Sequence, residues 1–141
     1  MMRAVIQYPP GKDNRLPETV ELPESYFNLR YMWLDARGPL HISATSHWGN
    51  GVIVITRSHA MDDGEFSTTV VDRPVRVDEG AQVYSFSLLY NCHIKHHAVV
   101  ACGAVVRNMT VEPWTMVEGN PARVTRYWNP DKKKWMEVEK T

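Results

Sequence analysis

Residues 77–109 read VDEGAQ VYSFSL LYNCH IKHHAV VACGAV VRNM, and this stretch decides the fold. Each block opens on a branched apolar residue, and successive openings lie six residues apart except for one step of five. Neither a helix, with about 3.6 residues per turn, nor a strand of period two produces such a repeat. The openings are Val77, Val83, Leu89, Ile94, Val100 and Val106, and the small residues two positions before the later openings are Ala81, Ser87, Cys92, Ala98 and Ala104.

A repeat of six residues predicts a parallel β-helix, in which three blocks close one turn of a triangular coil. Each block then supplies one short strand and one corner. The branched residue points into the coil, the small residue fits the corner, and each coil pairs its backbone with the next coil. The alternative is a run of ordinary buried strands in a β-sandwich, but six blocks nearly in phase favour the coil.

The 141 residues are expected to form one all-β domain. Residues 1–37 are interpreted as an N-terminal cap, with a strand around Val5 and a segment at 25–35 that covers the open end of the coil. Residues 38–112 form the coils, interrupted by a polar loop at 60–73. Residues 113–141 form a C-terminal hairpin or tail. Inserted loops on rigid scaffolds are common places for function.

Composition narrows the possible partners. Sixteen basic and sixteen acidic residues cancel, so neither a nucleic acid nor a membrane surface is expected as a partner. No apolar run reaches the roughly 18 residues of a membrane helix, and a cytoplasmic location is predicted. Cys92 and Cys102 are interpreted as small packing residues rather than as a disulfide or zinc ligands.

Three stretches together resemble a known family. They are TRSHA at 56–60, the repeat from Arg73 to Asn108, and VEGNPARVTR at 117–126. They resemble the hexapeptide-repeat acyltransferases, in particular the sugar O-acetyltransferases of the maltose and galactoside type. The resemblance covers residues 39–126, and its most specific part is the Gly-Asn-Pro-Ala-Arg-Val string.

The resemblance implies a left-handed parallel β-helix, a homotrimer, acetyl-CoA as donor, a saccharide as acceptor, and active sites in clefts between subunits. It implies that His59 is the catalytic base and that the backbone amide around Ser85 faces the thioester carbonyl. It also implies that Cys102, Gly103 and Ala104 line the pantetheine arm and that Arg123 and Arg126 hold the nucleotide end. Arg107 is a further cofactor-binding candidate, since it can supply the charge of a family lysine that is absent here.

The chemistry of acetyl transfer is consistent with these residue types. A neutral imidazole can take a hydroxyl proton near neutral pH, a fixed backbone N–H can stabilise an oxyanion, and an arginine fork matches phosphate oxygens. No metal is expected. Asp62, Asp63 and Glu65 in the polar loop at 60–73 are candidates for binding acceptor hydroxyls or for orienting His59.

Several positions depart from the family pattern. Gln82 stands where a tryptophan is usual, Arg107-Asn108 where Thr-Lys is usual, and His96-His97 where Asp-Gly is usual. By the resemblance, all of these positions are expected on the coils that face the cofactor.

Two alternatives therefore stay open beside the transferase. One is a catalytically silent β-helix that serves as a binding or scaffold protein. The other is a zinc enzyme like the carbonic anhydrases of the same fold, using His93, His96 and His97, although the spacing of these histidines does not match that pattern.

Overall fold

The computed structural model describes residues 5–23 and 31–139. These residues form strands and turns without a helix. The strands are β1 (Val5–Gln7), β2 (Trp33–Asp35), β3 (Leu40–Ile42), β4 (His47–Trp48), β5 (Ile53–Ile55), β6 (Arg57–Asp62), β7 (Glu65–Asp72), β8 (Val75–Val77), β9 (Gln82–Val83), β10 (Leu88–Ile94), β11 (Val99–Val100), β12 (Val105–Val111), β13 (Thr115–Glu118), β14 (Arg123–Asn129) and β15 (Lys134–Glu137).

Parallel pairing stacks these strands into three faces. The first face holds β1, β2, β5 and the first halves of β10 and β12. The second face holds β3, β8 and the second halves of β10 and β12. The third face holds β4, β9, β11 and β13. Because each strand pairs with its counterpart one coil away, the chain forms a curled parallel sheet, and the predicted β-helical architecture is confirmed.

The interior follows the repeat of the sequence. All six block openings in residues 77–109 are fully buried, and the five small residues that precede the later openings are buried as well. The same inward column continues through Leu34 and Val54 on the first face. Burying each branched side chain contributes about 1.5–3 kcal/mol, so the core is a stack along the coil axis.

The corner between the first and second faces, here called the first corner, explains the one short block. Asn91 turns this corner alone with φ 47°, and Asn108 does so one coil later with φ 54°. Asparagine tolerates this left-handed region better than most residues. The Asn91 amide Nδ2 donates to Asn108 Oδ1 at 2.8 Å, which links the two coils. Because a single left-handed residue turns this corner, the block that contains it is one residue shorter than the other blocks.

The polar loop predicted at 60–73 is an antiparallel hairpin of β6 and β7 at the first corner, and its pairing begins earlier than the predicted bounds, at Arg57. Its turn residues Asp63 and Gly64 have φ 50° and 80°. Positive φ at both positions is the two-residue turn whose twist suits a hairpin. Since pairing begins at Arg57, opposite Asp72, His59 lies inside the first strand of the hairpin.

Asp35 ties the first coil to the base of this hairpin. Its Oδ1 accepts from Arg37 Nε at 2.9 Å and from Arg37 N at 3.0 Å, and its Oδ2 accepts from Thr56 N at 3.2 Å. Thr56 Oγ1 donates back to the Asp35 carbonyl at 3.1 Å. Burial alone would raise the pKa of the Asp35 carboxyl, but the hydrogen bonds from Arg37 and Thr56 outweigh it and the pKa is lowered.

The ends of the coil are extended by further strands. At one end β1 pairs with β2, and Val20 forms a parallel bridge with Ile42. At the other end β13 turns into the antiparallel strands β14 and β15. The predicted covering segment at 25–35 includes β2, which is part of the first coil, while residues 25–30 lie outside the described residues.

Candidate functional site

His59 is exposed on the hairpin strand β6. It lies opposite Val70 in register, and its ring centroid is 4.8 Å from that of Phe66. The register of the hairpin shifts between His59 and Met61, an irregularity of the kind that re-aims side chains near functional sites. The imidazole is therefore open to a molecule that approaches the hairpin.

The acidic residues predicted to bind the acceptor are at the tip of the same hairpin. Asp62, Asp63 and Glu65 are all exposed. Among the described residues no carboxylate accepts a hydrogen bond from the His59 ring, whose neighbours are Val70 across the hairpin and the Phe66 ring. The orienting role therefore has no support in the described residues, whereas binding of acceptor hydroxyls stays a prediction.

The corner between the third and first faces, here called the third corner, holds Ser85. The Ser85 Oγ accepts from Asn50 N at 3.1 Å in the preceding coil, and the Ser85 carbonyl accepts from Gly103 N at 2.9 Å in the following coil. A Cβ at Gly49 would lie 2.5 Å from Ser85 N, so the backbones approach closely here. Ser85 is thus held rigidly between two coils.

The other predicted donor-lining residues lie at the same corner, one coil along. Cys102 and Gly103 are exposed beside Ser85, but the Ala104 side chain is fully buried. Because Ala104 is the small inward residue of its block, only its backbone is left to line the pantetheine arm, and the lining role of this stretch stays a prediction.

The two cysteines are free thiols. Cys92 is buried, and desolvation raises the pKa of its thiol to about 12, which keeps it protonated and inert. Cys102 is exposed at the third corner. The packing role predicted for both is thus right for Cys92 and wrong for Cys102.

The two C-terminal arginines have different surroundings. Arg123 opens β14, opposite Glu118, directly after the third corner. Arg126 is half-buried in a cavity of about 610 Å³ that Glu118, Glu137 and Glu139 also line. Three carboxylates around one guanidinium disfavour a phosphate, since like charges repel. Arg123 is the better placed of the two for an anion.

Arg107 is exposed at the first corner, where it lies opposite Tyr90 in register. The width of the first face separates it from Ser85 at the third corner. The structure therefore does not bring Arg107 to the other predicted donor residues.

A polar cluster on the second face was missed in the sequence. Asp78 Oδ1 accepts from Arg76 Nε at 2.7 Å, and its Oδ2 lies 2.6 Å from His93 Nε2. Burial alone would raise the pKa of Asp78, but these bonds outweigh it and the pKa is lowered. The cluster borders a groove of about 540 Å³ that Asn91 and Asn108 also line. His93 lies opposite Arg76 in register, one coil further along the chain. The cluster could therefore be found from the sequence only if the length of one coil were known.

The paired histidines at the corner between the second and third faces have a structural partner. His97 stacks on Trp114 with ring centroids 4.4 Å apart and planes 3° apart, and Trp114 in turn contacts Trp128 at 6.2 Å. Nδ1 of His96 is 3.3 Å from Nδ1 of His97.

In residues 5–23 and 31–139, no group of three or more His, Cys, Asp and Glu side chains is arranged to hold a metal ion. In the same residues, no helix has the length and apolarity needed to span a bilayer.

No protein-family model matches the chain, and no curated protein matches it either. Solved structures do share its fold. A hexapeptide-repeat-containing acetyltransferase from Vibrio cholerae, complexed with acetyl coenzyme A, aligns with a TM-score of 0.57 at 23% identity, over 70% of this chain and 60% of that chain. A maltose O-acetyltransferase from Clostridium difficile aligns with a TM-score of 0.61 at 20% identity, over 68% of this chain and 52% of that chain.

A galactoside acetyltransferase in complex with coenzyme A aligns with a TM-score of 0.52 at 14% identity, over 86% of this chain and 70% of that chain. The chain therefore has the fold of the hexapeptide-repeat acetyltransferases, and the resemblance seen in the sequence is confirmed at the level of the fold. It spans 60% of the Vibrio cholerae protein and 52% of the Clostridium difficile protein.

Proposed function

We propose that this protein transfers an acetyl group from acetyl-CoA to a hydroxyl of a sugar or a related small molecule. The observation that supports the proposal most is that Ser85 and, one coil later, Cys102 and Gly103 lie at the third corner, while Arg123 opens the antiparallel strand that follows this corner. The names of the neighbouring structures, which are maltose and galactoside acetyltransferases and complexes with acetyl-CoA or CoA, point to the same chemistry.

In the proposed mechanism the coils turn left-handed and three copies assemble, so that His59 of one copy meets the third corner of the next. The acceptor oxygen attacks the thioester carbonyl carbon while His59 takes the hydroxyl proton. The backbone amide around Ser85 donates to the oxyanion. The carbon–sulfur bond then breaks, and the leaving thiolate takes the proton back from the imidazolium. Arg123 contacts the phosphates at the nucleotide end of the donor.

The outer side of the first face supports an assembly of copies. Val5, Trp33 and Ile53 are neighbours in register there, and their exposed fractions are 39%, 40% and 39%. Contiguous exposed apolar surface of this kind marks interaction sites. We expect light scattering at micromolar concentration to give the mass of a trimer. A monomer mass would remove the intersubunit cleft on which the mechanism depends.

Donor binding and turnover test the function itself. We expect acetyl-CoA and CoA to raise the melting temperature of the protein, since a ligand that binds only the folded state stabilises it. With a panel of mono- and disaccharides, release of free CoA thiol should accelerate for at least one sugar. If neither acetyl-CoA nor CoA binds, the proposed transferase function is rejected. The alternative of a catalytically silent binding or scaffold protein would then remain.

A further inference from the structure

Phe86 combines backbone strain with exposure at the third corner. Its φ is 62°, in the left-handed region that bulky side chains rarely adopt. Its exposed fraction is 72%, so burial of the ring does not repay the strain. Strained residues of this kind concentrate at functional sites and ligand contacts, where the conformation is part of the function.

Trp114 has the same left-handed backbone conformation, and its ring contacts explain why that conformation is stable. Its φ is 58°, but its ring stacks on His97 at 4.4 Å and also contacts Trp128 at 6.2 Å. These ring contacts offset the backbone cost. No aromatic ring of the described residues stacks on Phe86 in this way. The strain at Phe86 therefore lacks the compensation that Trp114 has.

The residues at the position of Phe86 in the preceding and following coils are both glycines, Gly51 and Gly103. Its ring lies over Gly51 in the preceding coil, because a Cβ at Gly51 would be 2.5 Å from Phe86 Cδ1. In the following coil the same corner position is Gly103, where an added Cβ would meet nothing within 4 Å. The ring thus contacts Gly51 on one side, while the position of Gly103 in the following coil is open. Tyr84, 44% exposed, and Cys102, next to Gly103 in the sequence, are also exposed.

We propose that Phe86 is a donor-contacting residue whose ring packs against the pantetheine arm next to the thioester. The inference rests on the proposed function, which brings the acyl donor to the corner that holds Ser85. The arm is a thin chain of methylenes and amides, which an open aromatic face accommodates well. Phe86 directly follows Ser85, so a contact at the ring positions the thioester carbonyl beside the Ser85 amide.

The test uses the Phe86→Gly variant of the full-length protein. Glycine adopts positive φ without steric cost, so the variant should melt at or above the temperature of the parent protein. Its affinity for acetyl-CoA, measured by calorimetry, should fall about tenfold, the size of effect expected when one aromatic contact is lost. Adenosine 3′,5′-bisphosphate, which carries the nucleotide end without the arm, should bind both proteins equally.

Trp114→Gly is the matched control, because it removes an aromatic ring at the same backbone conformation. It should melt below the parent and bind acetyl-CoA as the parent does. The inference is overturned if Phe86→Gly binds acetyl-CoA like the parent, or if its assembly mass falls, which would assign the ring to a contact between copies. A parent protein that binds no acetyl-CoA would reject the proposed function as well, whereas binding by the parent and equal binding by the variant would reject only the role of Phe86.

Discussion

Replacing His59 with alanine should lower acetyl transfer about 10²–10⁴-fold, the usual consequence of removing a general base. The imidazole lies on the hairpin strand β6, where it is exposed to solvent. Because His59 is exposed, the substitution should change the free energy of unfolding by no more than about 0.5 kcal/mol. Trimer mass and acetyl-CoA affinity should stay as in the parent.

His93→Ala is the control for this experiment. His93 lies on the second face, where its ring contacts the Asp78 carboxylate. No other histidine in the described part of the chain forms an ion pair with a carboxylate. If His59 is the base, the His93 variant should keep its turnover with the active sugar. Unchanged turnover in the His59 variant together with a loss in the His93 variant would move the base to the Asp78–His93 pair. A His59 variant that fails to fold would instead indicate a packing role.

Replacing Asp35 with alanine should lower the free energy of unfolding by about 3 kcal/mol, because it leaves the buried Thr56 amide and the partly buried Arg37 amide without an acceptor and the Arg37 guanidinium without its partner. The groups concerned are Thr56 N, Arg37 N and Arg37 Nε. Asp35→Asn, which keeps one acceptor oxygen, should lose less. Chemical denaturation at one fixed protein concentration gives the values, since assembly makes stability depend on concentration.

The pH dependence of this loss identifies its cause. The folded-state pKa of Asp35 is lowered, so its ionised form contributes stability above its unfolded pKa of about 3.9 and loses it as the pH falls through the lower folded value. The difference between the parent and the alanine variant should therefore be full at neutral pH and shrink in acid. Asp131→Ala, at an exposed turn, should change little at any pH. A loss at Asp35 that persists unchanged in acid would assign the effect to packing.

The coil itself was readable from the sequence. A residue that points inward in a triangular coil must be branched and apolar, and one at a tight corner must be small, so the repeat directly records the geometry. Val77, Leu89 and Val100 are fully buried as the period requires. Local rules of this kind survive because each block contacts only its neighbours in the stack.

The hairpin was readable only in part. A polar loop was predicted at 60–73, but pairing between β6 and β7 depends on a register that no local pattern states. The strand type of these residues comes from contact across the hairpin. For the same reason the position of His59 inside β6 appears only in the folded chain.

Candidate site residues divide along the same line. Sequence motifs selected Ser85 and Cys102, which lie at one corner, and Arg123, which follows this corner, but also Ala104, whose side chain is buried. The contact between Asp78 and His93 joins residues on adjacent coils, and a single extra or missing corner residue would separate them.

The sequence by itself therefore determined the coil, its core and its corners, because each of these depends on one residue type at one step of the repeat. The tertiary structure alone decided which side chains share an edge, which carboxylates are held ionised, and that Phe86 is strained and exposed over Gly51. Those features depend on the register between coils, and register is a property of the stacked backbone that no single block of sequence contains.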